Sequence, residues 1–144
     1  MAACVVPPVI LLVYDFETTG LSTKTAEITQ LTIMTVDEMN NRSYSAYFVP
    51  EAEISYMAAQ ITGLAVEIDE YGQQHLTKQG MRVPAVPPAV GMLEFVLFIE
   101  KVVAAAANDA MVLLVAHNGR RFDERFLVRY MQRFNIHTHP IWTR

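Results

Sequence analysis

Two uninterrupted runs of branched apolar residues bracket this chain, Val9–Val13 near its start and Met111–Ala116 near its end. Neither alternates apolar with polar residues. A strand without alternation reads as one covered on both faces, as in a parallel sheet. Parallel neighbours need a crossover of a dozen or more residues, and the chain between the runs contains helical candidates. The two runs are therefore predicted to be adjacent parallel central strands of a layered α/β domain. A chain of 144 residues suits a single domain, 1–144, large enough to hold a core without disulfides. Its one cysteine, Cys4, excludes an internal disulfide framework and a cysteine zinc cluster.

Glu27–Val36 alternates apolar residues with Thr and Gln, the pattern of a half-buried strand. Asp37–Asn41 is turn chemistry, and Ser43–Val49 is the return strand of a hairpin, closed by Pro50. Ile54–Ile61 is predicted as a short helix stopped by Gly63. Residues 69–91 are polar or rich in Pro and Gly, and read as a long surface loop. Met92–Ala107 and Phe122–Phe134 carry helical spacing; in the second, Phe126, Leu127, Tyr130 and Phe134 share one face. His139–Trp142 is predicted to begin a last strand. The order β, β-hairpin, α, α, β, α, β implies a mixed sheet flanked by helices.

Hydrophobic residues make up 52% and charged residues 18%, which excludes a disordered chain. No apolar run reaches the ~18 residues of a membrane span. The apolar start up to Tyr14 lacks a basic region, is interrupted by Pro7 and Pro8, and ends in Asp15. A buried strand fits it better than a signal peptide, and an intracellular protein, cytoplasmic or nuclear, is expected. The net charge of −4 is unevenly spread: residues 1–119 hold 5 Lys+Arg and 13 Asp+Glu, residues 120–144 hold 6 and 2. The chain as a whole does not attract nucleic acid. Binding of that kind has to come from a local site, from metal ions or from the basic tail.

Asp15 and Glu17 stand two apart at the C-terminal end of the first apolar run, so both side chains point to one face of the strand. Two adjacent carboxylates repel, and hard oxygen ligands of this kind suit Mg²⁺ or Mn²⁺. The alternative is a strand running out into a solvated acidic turn. The segment Ala116-His117-Asn118-Gly119-Arg120-Arg121-Phe122-Asp123 repeats the arrangement: apolar strand, polar turn, then an acid in the first turn of a helix. At ~100° per residue Asp123 falls on the face of Tyr130 and Phe134. An inward acid is unusual, the alternative being one that stabilises the helix N-terminus.

Val13–Leu21 (V-Y-D-F-E-T-T-G-L) and Leu114–Leu127 (L-V-A-H-N-G-R-R-F-D-E-R-F-L) together resemble the DEDD 3′→5′ exonucleases of ribonuclease H-like fold. The first matches that family's D-x-E-x-T-G-L motif and the second its A-H-N-x-x-x-F-D motif. Glu27–Leu31 (E-I-T-Q-L) and Gln60–Leu64 (Q-I-T-G-L) resemble further landmarks, so the likeness runs from about Val9 to Trp142. The A-H-N-G form and the segment Arg82–Pro87 (R-V-P-A-V-P) are most similar to the three-prime repair exonucleases and the exonuclease-like region of promyelocytic leukaemia proteins.

The resemblance implies a two-metal site for hydrolysis at a nucleic-acid 3′ end, DNA or RNA. Asp15 would bridge the metals, Glu17 would hold the nucleophile-side ion and Asp123 the second. Thr18 and Thr19 would meet the terminal hydroxyl, with Gly20 in the same turn. Leu21 would wedge against the last base, and Asn118, beside His117, would help to fix the site. The family's third motif, a His or Tyr followed by Asp, has no counterpart here: no acid follows Glu124. His137 and His139 stand too soon after Asp123 and read as loop residues. The resemblance therefore implies a C-terminally incomplete domain with impaired turnover and exposed apolar surface, Ile141 and Trp142 included. A catalytically inactive module that binds nucleic acid or protein is the alternative. Arg121, Arg125, Arg129 and Arg133 recur every fourth residue along one helical line. They read as solvated surface charge, with phosphate tracking as the other possibility.

Overall fold

The structure, a computed structural model, describes residues 7–36, 41–107 and 110–143. Its main sheet has four strands in the order β3-β2-β1-β7, where β1 is Val9–Thr18, β2 Ile28–Thr35, β3 Ser43–Tyr47 and β7 Met111–Val115. β1 pairs antiparallel with β2, and β2 with β3. β1 pairs parallel with β7, Val9 opposite Met111 and Val13 opposite Val115. The sheet is mixed and the two apolar runs are adjacent and parallel, as the sequence predicts. The turn expected at Asp37–Asn41 lies largely outside the described residues.

The expectation that both runs are central and covered on both faces is not met. β7 is an edge strand. Along β1 the even positions Leu12, Tyr14, Phe16 and Thr18 are buried, while Val9 and Leu11 are 50% and 38% exposed. Met111, Leu113 and Val115 of β7 are also exposed. The buried face packs on helix α2 (Pro88–Ala105), through Met92, Phe95, Val96, Ile99 and Val102. It also packs on helix α3 (Asp123–Arg133), through Phe126, Leu127 and Tyr130. One layer of helices covers one face of the sheet, and the opposite face carries Val9, Leu11, Met34, Met111, Leu113 and Val115 in the open. The apolar surface expected from the sequence is there.

Helix α1 (Tyr56–Thr62) forms where the sequence places it. Ser55 caps its start by accepting from the Ala58 amide, and Gly63, at φ 70°, closes its end. The stretch read as a long surface loop is corrected. Within it β5 (Gln74–Lys78) and β6 (Met81–Arg82) form a second antiparallel sheet with β4 (Leu64–Ile68) just before it, and α2 already begins at Pro88. Gln79 and Gly80, both at positive φ, make the two-residue turn between β5 and β6. The Pro-rich segment that follows lies along β3: Ala85 bridges Tyr47, and the Val86 amide donates to the Tyr47 carbonyl. Pro140–Thr143 is a 3₁₀ turn rather than a strand, because the Trp142 indole donates back to the Ile136 carbonyl at 2.9 Å. Ile141 and Trp142 are half-buried, less covered than a central strand would be.

Candidate active site

β1 runs past the end of β7, and the acids lie in that overhang. Pairing with β7 stops at Val13, whereas pairing with β2 continues to Thr18. The backbone of residues 14–18 therefore has no strand on its β7 side. Asp123 occupies that side: its Oδ1 accepts a hydrogen bond from the Phe16 amide at 3.2 Å. A buried amide without a partner costs about 1–3 kcal/mol, which gives this acid a structural reason to point inward. Asp123 is 3% exposed and lies on the helix face of Phe126, Leu127 and Tyr130. The inward direction read from the helical wheel is confirmed; Asp123 also opens α3, where an acid suits the helix start.

Asp15 and Glu17 alternate with the buried residues of β1 and so stand together on the open face. In the antiparallel register Asp15 is opposite Thr32 and Glu17 opposite Gln30. Next across are Ser45 and Tyr47. This end of the open face is polar, and Thr32 Oγ1 lies 3.0 Å from Ser45 Oγ. The apolar half begins at Val13 and Met34.

Glu17 and Asp123 both feel their neighbours. Partial burial pushes the Glu17 carboxyl up from its ordinary value; Asp15 adds to the rise, Lys78 opposes it, and Asp123 adds a further increment. Burial likewise raises Asp123, against the Phe16 amide bond that pulls it down; Asp15 raises it further, while its own backbone amide and His117 oppose. Tyr14, behind them in the core, is pushed up to about 12 by burial and then by Asp123 and Glu124. Yet among the described residues no group of three or more His, Cys, Asp or Glu is gathered closely enough to hold a metal ion. This corrects the expectation of a single metal-sized cluster. Asp15 and Glu17 face the open side, whereas Asp123 is drawn to the strand edge and gives one oxygen to the Phe16 amide.

The turn after Glu17 is pinned by its own hydroxyls. Thr18 Oγ1 donates to the Gly20 carbonyl at 2.8 Å, and Thr19 Oγ1 accepts from the Glu27 amide at 3.0 Å. Thr18 and Thr19 are buried, so the turn thrusts Leu21 outward, 87% exposed. A large apolar side chain on a rigid turn beside two acids can stack against a planar apolar group. Asn118, at φ 53°, lets the chain turn from β7 into α3, and its carbonyl accepts from the Arg121 and Phe122 amides. His117 and Asn118 are exposed at that corner. His137 and His139 lie beyond α3; His139 Nε2 is 3.6 Å from Glu100 of α2, in keeping with the loop reading.

Two features escape the sequence. Lys78 reaches the site from β5, with Nζ 5.7 Å from the Tyr47 ring centre; its strand was read as loop. Arg129 is not simple surface charge. It donates through Nη1 to the Thr23 carbonyl at 2.9 Å and through Nη2 to the Ala26 carbonyl, and it lies over the rings of Phe126 and Tyr130. The Tyr130 hydroxyl in turn accepts from the Ile28 amide at 2.9 Å. Glu27, from the E-I-T-Q-L segment, accepts from the Glu51 and Ala52 amides through Oε2 and lies 3.9 Å from Arg133. Helix α3 thus anchors the loop that follows the first motif.

No protein-family model matches the chain, and no curated protein matches it in sequence. Solved structures do match it in shape. The zinc-bound form of an Escherichia coli exonuclease I complex with single-stranded DNA superposes with TM-score 0.61 at 18% identity, over 88% of this chain and 24% of that one. The same enzyme with a dT13 oligonucleotide gives 0.60 at 18%, over 87% and 24%. A moderately thermophilic exonuclease I from Methylocaldum szegediense gives 0.61 at 18%, also over 87% and 24%. The chain spans about a quarter of the length of these proteins, and at such identity the likeness carries the fold. The fold of this chain is accordingly the mixed α/β, ribonuclease H-like fold of the exonuclease I structures.

Proposed function

We propose that residues 1–144 form one nuclease-type domain directed at the 3′ end of a single-stranded nucleic acid, DNA or RNA, with impaired hydrolysis by these residues alone. One observation carries the reading. Asp123, 107 residues away in sequence, bonds to the backbone of β1 between the two residues that bear the other acids. A scaffold serving binding alone has no need to bring a buried acid to a strand end that already bears two carboxylates. Asp15 and Glu17 are the residues that would hold a divalent cation, Mg²⁺ or Mn²⁺, with Asp123 beside them. A bound cation would neutralise charge and activate water. The pinned turn of Thr18, Thr19 and Gly20 would seat the terminal nucleotide, with Leu21 against its base and His117 and Asn118 at the opposite corner. Within the superfamily, the A-H-N-G and R-V-P-A-V-P segments favour the three-prime repair branch, and an intracellular setting goes with that reading.

The chain has no counterpart of the third motif that would supply the fourth carboxylate and the histidine base, since no acid follows Glu124; His117, near Asp123, sits on the exposed corner before α3. A positioned base is worth about 10²–10⁴-fold, so slow turnover is expected. The test pairs cation titration by calorimetry with Mn²⁺-dependent trimming of labelled single-stranded oligonucleotides. Weak cation binding lost in Asp15→Asn, with little trimming, is the expected result. Turnover at a rate typical of enzymes, surviving Asp15→Asn, would overturn it. Oligonucleotide binding that ignores both cation and Asp15 would favour the inactive binding module.

A further inference from the structure

Outside the acid site, positive charge gathers in an open groove between the 23–24 turn and the outer side of α3. Lys24, Arg120, Arg125 and Arg129 line it, with Glu124 as the one acid among its lining residues. Residues 120–144 carry the chain's excess of basic side chains, and the fold brings Lys24 from the acidic part of the sequence to join them. Among the described residues the ion pairs within 4.0 Å are His75–Glu67, Arg133–Glu27 and His139–Glu100, so none of the four cations in the groove is paired.

The groove is also built. Arg129 is fixed by the Thr23 and Ala26 carbonyls and by the rings beneath it. Its guanidinium ties one wall to the other and keeps its charge, because carbonyls neutralise nothing. Arg125 Nε donates to the Arg120 carbonyl at 3.4 Å, which holds its head group beside Arg120. Unpaired guanidinium groups held in place offer forked donors to phosphate oxygens.

Both walls continue the segments that carry the acids. Lys24 follows Glu17 through the pinned turn, and Arg120 and Arg125 flank Asp123 in sequence. The geometry points to this groove as the path of the phosphate backbone of a single-stranded nucleic acid whose end lies at the acids. This rests on the proposed function and extends it with a second surface. An acidic peptide would meet the same charges, but an open groove lined by four cations and one acid suits a chain of regularly spaced phosphates.

The experiment measures anisotropy of fluorescein-labelled oligo(dT) against salt concentration in chelator, so that cation chemistry plays no part. Removing three phosphate contacts should lower the salt slope by about 2, at about 0.7 per contact for single strands. The triple variant Lys24→Gln, Arg120→Gln, Arg125→Gln should lose affinity on the order of a hundredfold at low salt by the same relation. The charge-keeping variant Lys24→Arg, Arg120→Lys, Arg125→Lys should retain the slope, which separates charge from folding. A wild-type slope in the neutral variant overturns the groove; so does loss of slope in the charge-keeping variant with its fold intact by circular dichroism. Equal competition by polyglutamate overturns the choice of nucleic acid. If the nuclease reading fails, trimming is absent and the slopes stand; if the groove fails, the slopes are unchanged whatever the trimming shows.

Discussion

Asp123 serves two ends, and substituting it separates them. Its Oδ1 satisfies the Phe16 amide, 3.2 Å away in a place where Phe16 is 4% exposed. Its charge is unwelcome there, since burial and Asp15 raise its pKa. Asp123→Asn keeps an oxygen acceptor and removes the charge. Asp123→Ala removes both and leaves the amide unpaired. The two variants should differ by the cost of a buried unsatisfied amide, about 1–3 kcal/mol. In urea, with a slope near 2 kcal/mol/M for a domain of this size, that is a midpoint difference of about 0.5–1.5 M. The pH dependence has a definite sign. A carboxyl whose folded pKa exceeds its unfolded value binds more protons in the folded state, so stability falls as pH rises through that window. Asp123→Asn should therefore be at least as stable as wild type at neutral pH, and its advantage should shrink as pH falls below the carboxylate range. Urea midpoints for the three proteins at acid and neutral pH decide it. If Asp123→Asn is as unstable as Asp123→Ala at neutral pH, the amide bond is not what holds this acid, and the reasoning fails.

Tyr130→Phe removes the hydroxyl that accepts from the Ile28 amide and should cost about 1–3 kcal/mol by urea denaturation, while conserving the ring. Gly91→Ala should cost about 1–3 kcal/mol, because a Cβ there would come within 2.2 Å of Phe48 Cε1 in a fully buried site; a neutral result would show that the Phe48 ring can step aside. Leu113→Lys, on the open face of the edge strand, should change stability by no more than about 0.5 kcal/mol while reducing hydrophobic dye binding; a large destabilisation would mean that the face is covered.

Much of the site is legible in the sequence because its parts are local patterns. Asp15 and Glu17 share a face by strand alternation, and the inward turn of Asp123 follows from its spacing to Tyr130. Pairing of the two apolar runs is equally legible, since both ask for burial. What the runs do not reveal is how far burial goes: Leu11 and Leu113 sit on a face that no described helix covers. The second sheet is hidden by composition. Its strands are short, β5 and β6 are largely polar, and their signal is a turn, Gln79-Gly80, rather than apolar periodicity. Lys78 beside Glu17 is lost with it. Arg129 is misread for another reason. A helical wheel gives the direction of a side chain but not the loop that comes to meet it, and the Thr23 and Ala26 carbonyls belong to a segment more than a hundred residues away.

That separation governs the order in which the molecule can assemble. β1 finds β2 soon after it is made, across a short connection. β7 and the Asp123 bond close loops of about a hundred residues onto the first strand, and the Tyr130 bond closes a similar one onto the start of β2. Closure entropy for such loops must be met before their contacts give anything back, and chains dominated by distant pairings fold slowly. The β2–β3 hairpin and α2 can form early from neighbouring sequence, but the acid site cannot exist in any partly made chain. During synthesis the edge of β1 waits unpaired until β7 emerges, and its end at Phe16 until Asp123 follows. The step that completes the site is thus also the step that ends the period of greatest exposure to misassembly.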